Sequence, residues 1–173
     1  MQGSARVINL PEDTPEVFTI YLRCLYRNTI ACEGRSGSAA CFGLAIEVYI
    51  LADKLGDLTS ANLAIDHIVH LSDERHGIPS YRWAEYIFDY TPERSPLQRL
   101  MVDFLVQEGS KSNFEGEYFD TITLTFAKAV IKEYYRLVRE GWDKKVKVSF
   151  DRHASERPRC WYHQHNDDHP KCT

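Results

Sequence analysis

The stretches Leu10–Tyr26, LPEDTPEVFTIYLRCLY, and Leu44–Val69, LAIEVYILADKLGDLTSANLAIDHIV, decide the fold, with a Gly/Ser-rich gap between them. Asp13 or Thr14 can cap a helix. Pro15 then falls in the first turn, where its missing N–H would be unpaired anyway, and Glu16 sits near the positive helix end. Phe18, Tyr21, Leu22 and Leu25 recur at helical spacing and predict an apolar, aromatic face that needs a partner. Leu44, Val48, Leu51 and Leu55 form a second stripe that stops at Gly56, a residue suited to a left-handed C-terminal cap. Leu58, Ala61, Ile65 and Ile68 make a third. Helices two and three nearly touch in sequence, which predicts an antiparallel hairpin inside a small helical cluster.

These residues carry a resemblance. The strand-like Val7–Leu10, the Leu10-Pro11-Glu12-Asp13 lead, Pro15-Glu16-Val17-Phe18, the helix ending in Leu25-Tyr26 and the hairpin Leu51-Ala52-Asp53-Lys54-Leu55-Gly56-Asp57-Leu58 resemble the second half of a BTB/POZ domain of the fungal type. Chains of that type continue into further helices and often end in a Cys/His-containing tail. The resemblance covers about the first 70 residues by motif and the rest by layout. It implies a mainly α fold: the C-terminal half of a BTB/POZ-like fold, one short strand plus helices, then a helical extension and a Cys/His tail. The strand hairpin and two helices that open the family's domain are expected to be lacking. The function it implies is a non-enzymatic protein–protein interaction module, either self-associating or an adaptor for a cullin-type ubiquitin ligase. The interaction surface would be the face of Phe18, Tyr21, Leu22 and Leu25.

Composition bounds the alternatives. The chain has 173 residues, 43% of them hydrophobic and 27% charged, which is enough for one folded domain and argues against wholesale disorder. A net charge of −4 and a pI near 6.0 argue against a dominant nucleic-acid or anionic-membrane footprint. No apolar run approaches the roughly 20 residues needed to cross a bilayer. Five cysteines, an odd number without a secretion signal, fit an intracellular setting, cytoplasmic or nuclear, with reduced thiols.

In order, residues 1–71 read as the partial BTB/POZ-like domain, 72–80 as a linker ending near Pro79, 81–142 as a helical extension and 143–173 as the tail. Within the extension, Trp83, Tyr86, Ile87 and Tyr90 form a helical stripe that Thr91-Pro92 terminates, and it reads as core. Ser95-Pro96 opens the next helix, with Leu97, Leu100, Met101, Phe104 and Leu105 apolar. The longest helix is expected from Tyr118 to Gly141, with Phe119, Ile122, Phe126, Val130, Tyr134 and Leu137 inward. The three lysines between Asp143 and Lys147 read as a solvated connector.

One constellation could carry chemistry. From Cys160 to Cys172 the chain reads CWYHQHNDDHPKC, two thiols and three imidazoles within thirteen residues. Zinc favours sulfur and nitrogen in a tetrahedral shell, and Cys160, His163, His165 (or His169 in its place) and Cys172 could supply four ligands. The spacing is not that of a standard finger, and the competing reading is an exposed polar tail on which Trp161 and Tyr162 alone are apolar enough to dock. Structural zinc is thus the one cofactor considered. A small zinc-dependent enzyme or nucleic-acid binder built on this cluster is the alternative function. Catalytic zinc would need an open position and a general base, and neither His-Glu-x-x-His nor a deaminase signature occurs. Gly-x-Ser-x-Gly, dinucleotide and kinase motifs are missing too. Pairing Cys24, Cys32 or Cys41 with His67, His70 or His76 as nucleophile and base is disfavoured, because Cys24 and His67 fall among core-helix residues. No catalytic residue is assigned, and the expected partners are proteins, either a second copy or a cullin scaffold.

Overall fold

Helix α2 (Ser38–Leu55) is apolar around most of its circumference, and that composition puts it in the middle of the molecule. Cys41, Phe42, Leu44, Ala45, Ile46, Val48, Tyr49, Ile50, Leu51 and Ala52 are all buried. A computed structural model describes residues 13–31, 38–75, 77–109, 122–143, 154–166 and 172. The expected strand Val7–Leu10, most of the Gly/Ser-rich gap, the lysine cluster and His169 lie outside the described residues. Among the described residues the chain is mainly helical and contains no strand.

Around α2 stand α1 (Pro15–Arg27), α3 (Leu58–Arg75), α4 (Arg82–Tyr90), α5 (Pro96–Asp103, continued by a π-helical turn Phe104–Glu108) and α6 (Leu124–Asp143). Thr14 is the N-cap of α1, its Oγ1 accepting from Val17 N at 3.2 Å, while Asp13 reaches Lys54 instead. The hairpin between α2 and α3 closes through Gly56 in the left-handed region at φ 71°. Gly56 N donates to Asp53 O and Asp57 N to Ala52 O, which is a Schellman cap. Asp57 then caps α3, accepting from Ser60 N at 3.1 Å. Helix α3 continues to Arg75, so the first part of the segment read as a linker is helical.

The stop at Thr91 and the Ser95-Pro96 start are both observed, joined by a buried network. Thr91 Oγ1 donates to Ile87 O, Ser95 Oγ donates to Thr91 Oγ1, and Gln98 Nε2 donates to Thr91 O. In α4 only Ala84 and Ile87 are buried; Trp83 and Tyr86 are half-buried and Tyr90 is exposed. The aromatic stripe therefore rims the core and does not fill it. Helix α6 begins at Leu124, not Tyr118: Ile122 and Thr123 are not helical, and Thr123 caps the helix by accepting from Phe126 N. Phe126 is buried, Val130 and Leu137 are half-buried, and Tyr134, expected inward, is exposed.

Candidate functional site

The expected interaction face is rotated. Helix α1 buries Val17, Ile20, Tyr21 and Cys24 against α2 and α3, so Tyr21 points inward. Phe18, Leu22, Leu25 and Tyr26 remain 38%, 37%, 49% and 87% exposed and form one stripe at i, i+4, i+7 and i+8. Helix α6 exposes a second apolar set, Leu124, Ile131, Tyr134 and Tyr135.

The described part of the tail is docked, which corrects the reading of it as an exposed polar segment. Tyr162 is buried, and its hydroxyl donates to Asp103 Oδ2 on α5 at 2.7 Å. Burial raises the Asp103 carboxyl above its usual range, and the Tyr162 hydrogen bond and the nearby Arg157 charge oppose that rise only in part. Trp161, the other residue expected to dock, is more exposed, and the Arg157 guanidinium lies 4.8 Å from its ring centroid. Ala154 N donates to Glu108 Oε1 at 2.9 Å, and Ser72 Oγ on α3 donates to the same carboxylate.

Helix α3 is the rail on which the Cys/His segment lies. Asn62 Nδ2 donates to Gln164 O at 2.9 Å, and Gln164 N donates to Asn62 Oδ1 at 2.8 Å. The amide side chain thus pairs with one backbone residue as a neighbouring strand would. One helical turn on, Asp66 Oδ1 stands 2.8 Å from His163 Nε2. Gln164 Nε2 also donates to Tyr49 Oη and Asp53 Oδ1, linking the tail to α2.

This docking gathers three of the sequence-predicted ligands. One donor atom each from Cys160, His165 and Cys172 lies within 4.8 Å of the others, a group that could hold a metal ion. His163 stands beside this group and not within it, its Nδ1 3.2 Å from Cys172 Sγ. Cys160 Sγ accepts from Cys172 N at 2.9 Å. His165 Nε2 is buried without a hydrogen-bond partner. Asn62 and Asp66, which fix the segment, are missed by sequence reasoning because they lie about a hundred residues away from it. Nothing local marks them, since α3 carries many other polar side chains.

Of the other thiols, Cys32 lies outside the described residues. Cys24 and Cys41 are buried, and burial pushes the Cys24 thiol up, away from the thiolate a nucleophile requires. Among the described residues no helix is long and apolar enough to cross a membrane. No family model, curated protein or solved structure matches the chain.

Proposed function

We propose that the chain is a non-enzymatic protein-interaction module that self-associates through the outer face of α1. The observation that carries this reading is the stripe Phe18, Leu22, Leu25 and Tyr26, left exposed on a helix whose opposite face is core. A second copy fits the face. Paired antiparallel about a two-fold axis near Tyr21 and Leu22, Phe18 meets the partner's Leu25, and Leu22 meets its own counterpart. Phe18, Leu22 and Leu25 are already more than half covered, so each adds only a fraction of the about 1.5–3 kcal/mol of complete burial, and the expected dimer is weak. The resemblance to BTB/POZ proteins supports an interaction role inside the cell and adds the adaptor form, in which a cullin scaffold is the partner.

The test is the mass of the full chain in solution across a concentration series, beside the double variant Leu22→Glu/Leu25→Glu. A dimer that dissociates in the variant supports the reading. A dimer that survives it but is lost in Ile131→Glu moves the interface to α6 and overturns the α1 assignment. A monomer overturns self-association; direct binding of that monomer to a purified cullin scaffold through α1 would support the adaptor form, and its failure to bind would overturn that as well.

A further inference from the structure

We infer that Cys160, His163, His165 and Cys172 bind one structural zinc ion, and that Asp66 on α3 positions His163 as a ligand. The donors are the first reason. Two thiolates and two imidazoles are the soft, mixed set that selects tetrahedral zinc over magnesium, calcium or manganese. Geometry is the second. At zinc bond lengths of about 2.3 Å to sulfur and 2.0–2.1 Å to nitrogen, a sulfur and a nitrogen on one tetrahedron stand about 3.5 Å apart. His163 Nδ1 and Cys172 Sγ stand 3.2 Å apart. The Cys160, His165 and Cys172 donors lie within 4.8 Å of one another, a group that one ion can draw together.

The surroundings of the cluster are the third reason. With Nε2 carrying the proton, His163 donates to Asp66 Oδ1 at 2.8 Å and leaves the Nδ1 lone pair directed toward Cys172. A carboxylate that orients a ligand imidazole through its far nitrogen is the usual outer partner of protein-bound zinc. The Cys172 N–H on Cys160 Sγ stabilises a thiolate there. His165 Nε2 is buried with no hydrogen bond, so a ligand role for its ring relieves an unmet polar group.

Four protein ligands close the shell, so the ion leaves no position for water or substrate and serves structure rather than catalysis. It would close the loop from Cys160 to Cys172, and Asp66 would tie that loop to α3. The spacing Cys-x2-His-x-His-x6-Cys is irregular because the helix, not a zinc-finger hairpin, sets the positions of the ligands.

The experiment is native mass spectrometry of the full chain purified without chelator, followed by cobalt substitution and by competition with a zinc-binding dye. Expected are one zinc per chain and a cobalt spectrum with tetrahedral d–d bands and thiolate charge transfer. Cys160→Ser and His165→Ala should abolish stoichiometric binding while the helical circular dichroism persists. Asp66→Asn should retain the metal with affinity about 10–100-fold weaker, as loss of an outer-sphere carboxylate does. His70→Ala, on an exposed imidazole elsewhere on α3, should change nothing. Three results would overturn the assignment: a metal-free folded chain, a Cys160–Cys172 disulfide under reducing purification, or zinc bound equally well by Cys160→Ser and His165→Ala.

Discussion

The Tyr21 hydroxyl donates to Asp57 Oδ2 at 3.2 Å while Asp57 Oδ1 accepts from Ser60 N at 3.1 Å, so one carboxylate joins α1 to the start of α3. Because Asp57 N also completes the C-cap of α2, all three helices of the hairpin region meet at this residue. Asp57→Ala removes a cap and a hydrogen-bond acceptor together and is expected to cost about 1–3 kcal/mol in urea unfolding. Asp57→Asn, still a good capping residue, should cost less. Equal losses in the two variants would show that the cap contributes little.

Tyr21 also gives the fold an alkaline limit. Burial, then the Asp57 charge, pushes its phenol from 10.0 up to about 12. A group whose folded pKa is raised contributes stability that is fully present below the unfolded value and lost as pH rises through the folded one. Stability should therefore fall from about pH 10 to about pH 12. Burial raises the Tyr49 and Tyr162 phenols as well, so the slope is shared. Tyr21→Phe should remove part of it in denaturant titrations run across this range, and an unchanged slope would exclude Tyr21 as a contributor.

Asp103 and Tyr162 set how firmly the tail is held. The Asp103 carboxyl is raised by burial, so its contribution to stability is present at pH below the ordinary carboxylate range and declines as pH rises through its folded value. Asp103→Asn keeps an acceptor for the Tyr162 hydroxyl without burying a charge, and should flatten that decline. Tyr162→Phe leaves the carboxylate short of its strongest partner and should cost about 1–3 kcal/mol. Limited proteolysis should then cut near residues 154–166 faster than in the unaltered chain. Cleavage at an unchanged rate would mean that the hydrogen bond does not hold the segment.

What was legible in the sequence was local. Thr14-Pro15, Gly56, Thr91-Pro92 and Ser95-Pro96 mark helix ends because caps and prolines act within one turn. The phase of α1 was not legible, because Val17, Phe18, Ile20, Tyr21, Leu22, Cys24 and Leu25 make it apolar over most of its circumference. Only packing against α2 selects the Val17/Ile20/Cys24 side. The start of α6 was missed although Thr123 is a good N-cap, since the apolar spacing extends further back than the helix does. Of the candidate site, all four cluster residues were visible as a local run, whereas Asn62, Asp66 and Asp103, which dock the run, are joined to it only by the folded chain.

Gly43 is a position in α2 that should not tolerate an added methyl group. It lies in the first half of α2 under the six-membered ring of Trp83, and a Cβ built there would fall within the van der Waals envelope of that ring. The obstructing atoms belong to a broad, rigid indole that also makes an edge contact with Tyr86, so relief requires α4 to shift as a unit. Gly43→Ala should gain helix propensity of about 1 kcal/mol and lose about 1–3 kcal/mol to overpacking, for a net destabilisation. In Gly43→Ala/Trp83→Leu the obstruction is gone, so the alanine should stabilise relative to Trp83→Leu alone. A melting-temperature comparison of the four proteins checks this through the sign of the coupling, and simple additivity would mean that Trp83 does not restrict the site.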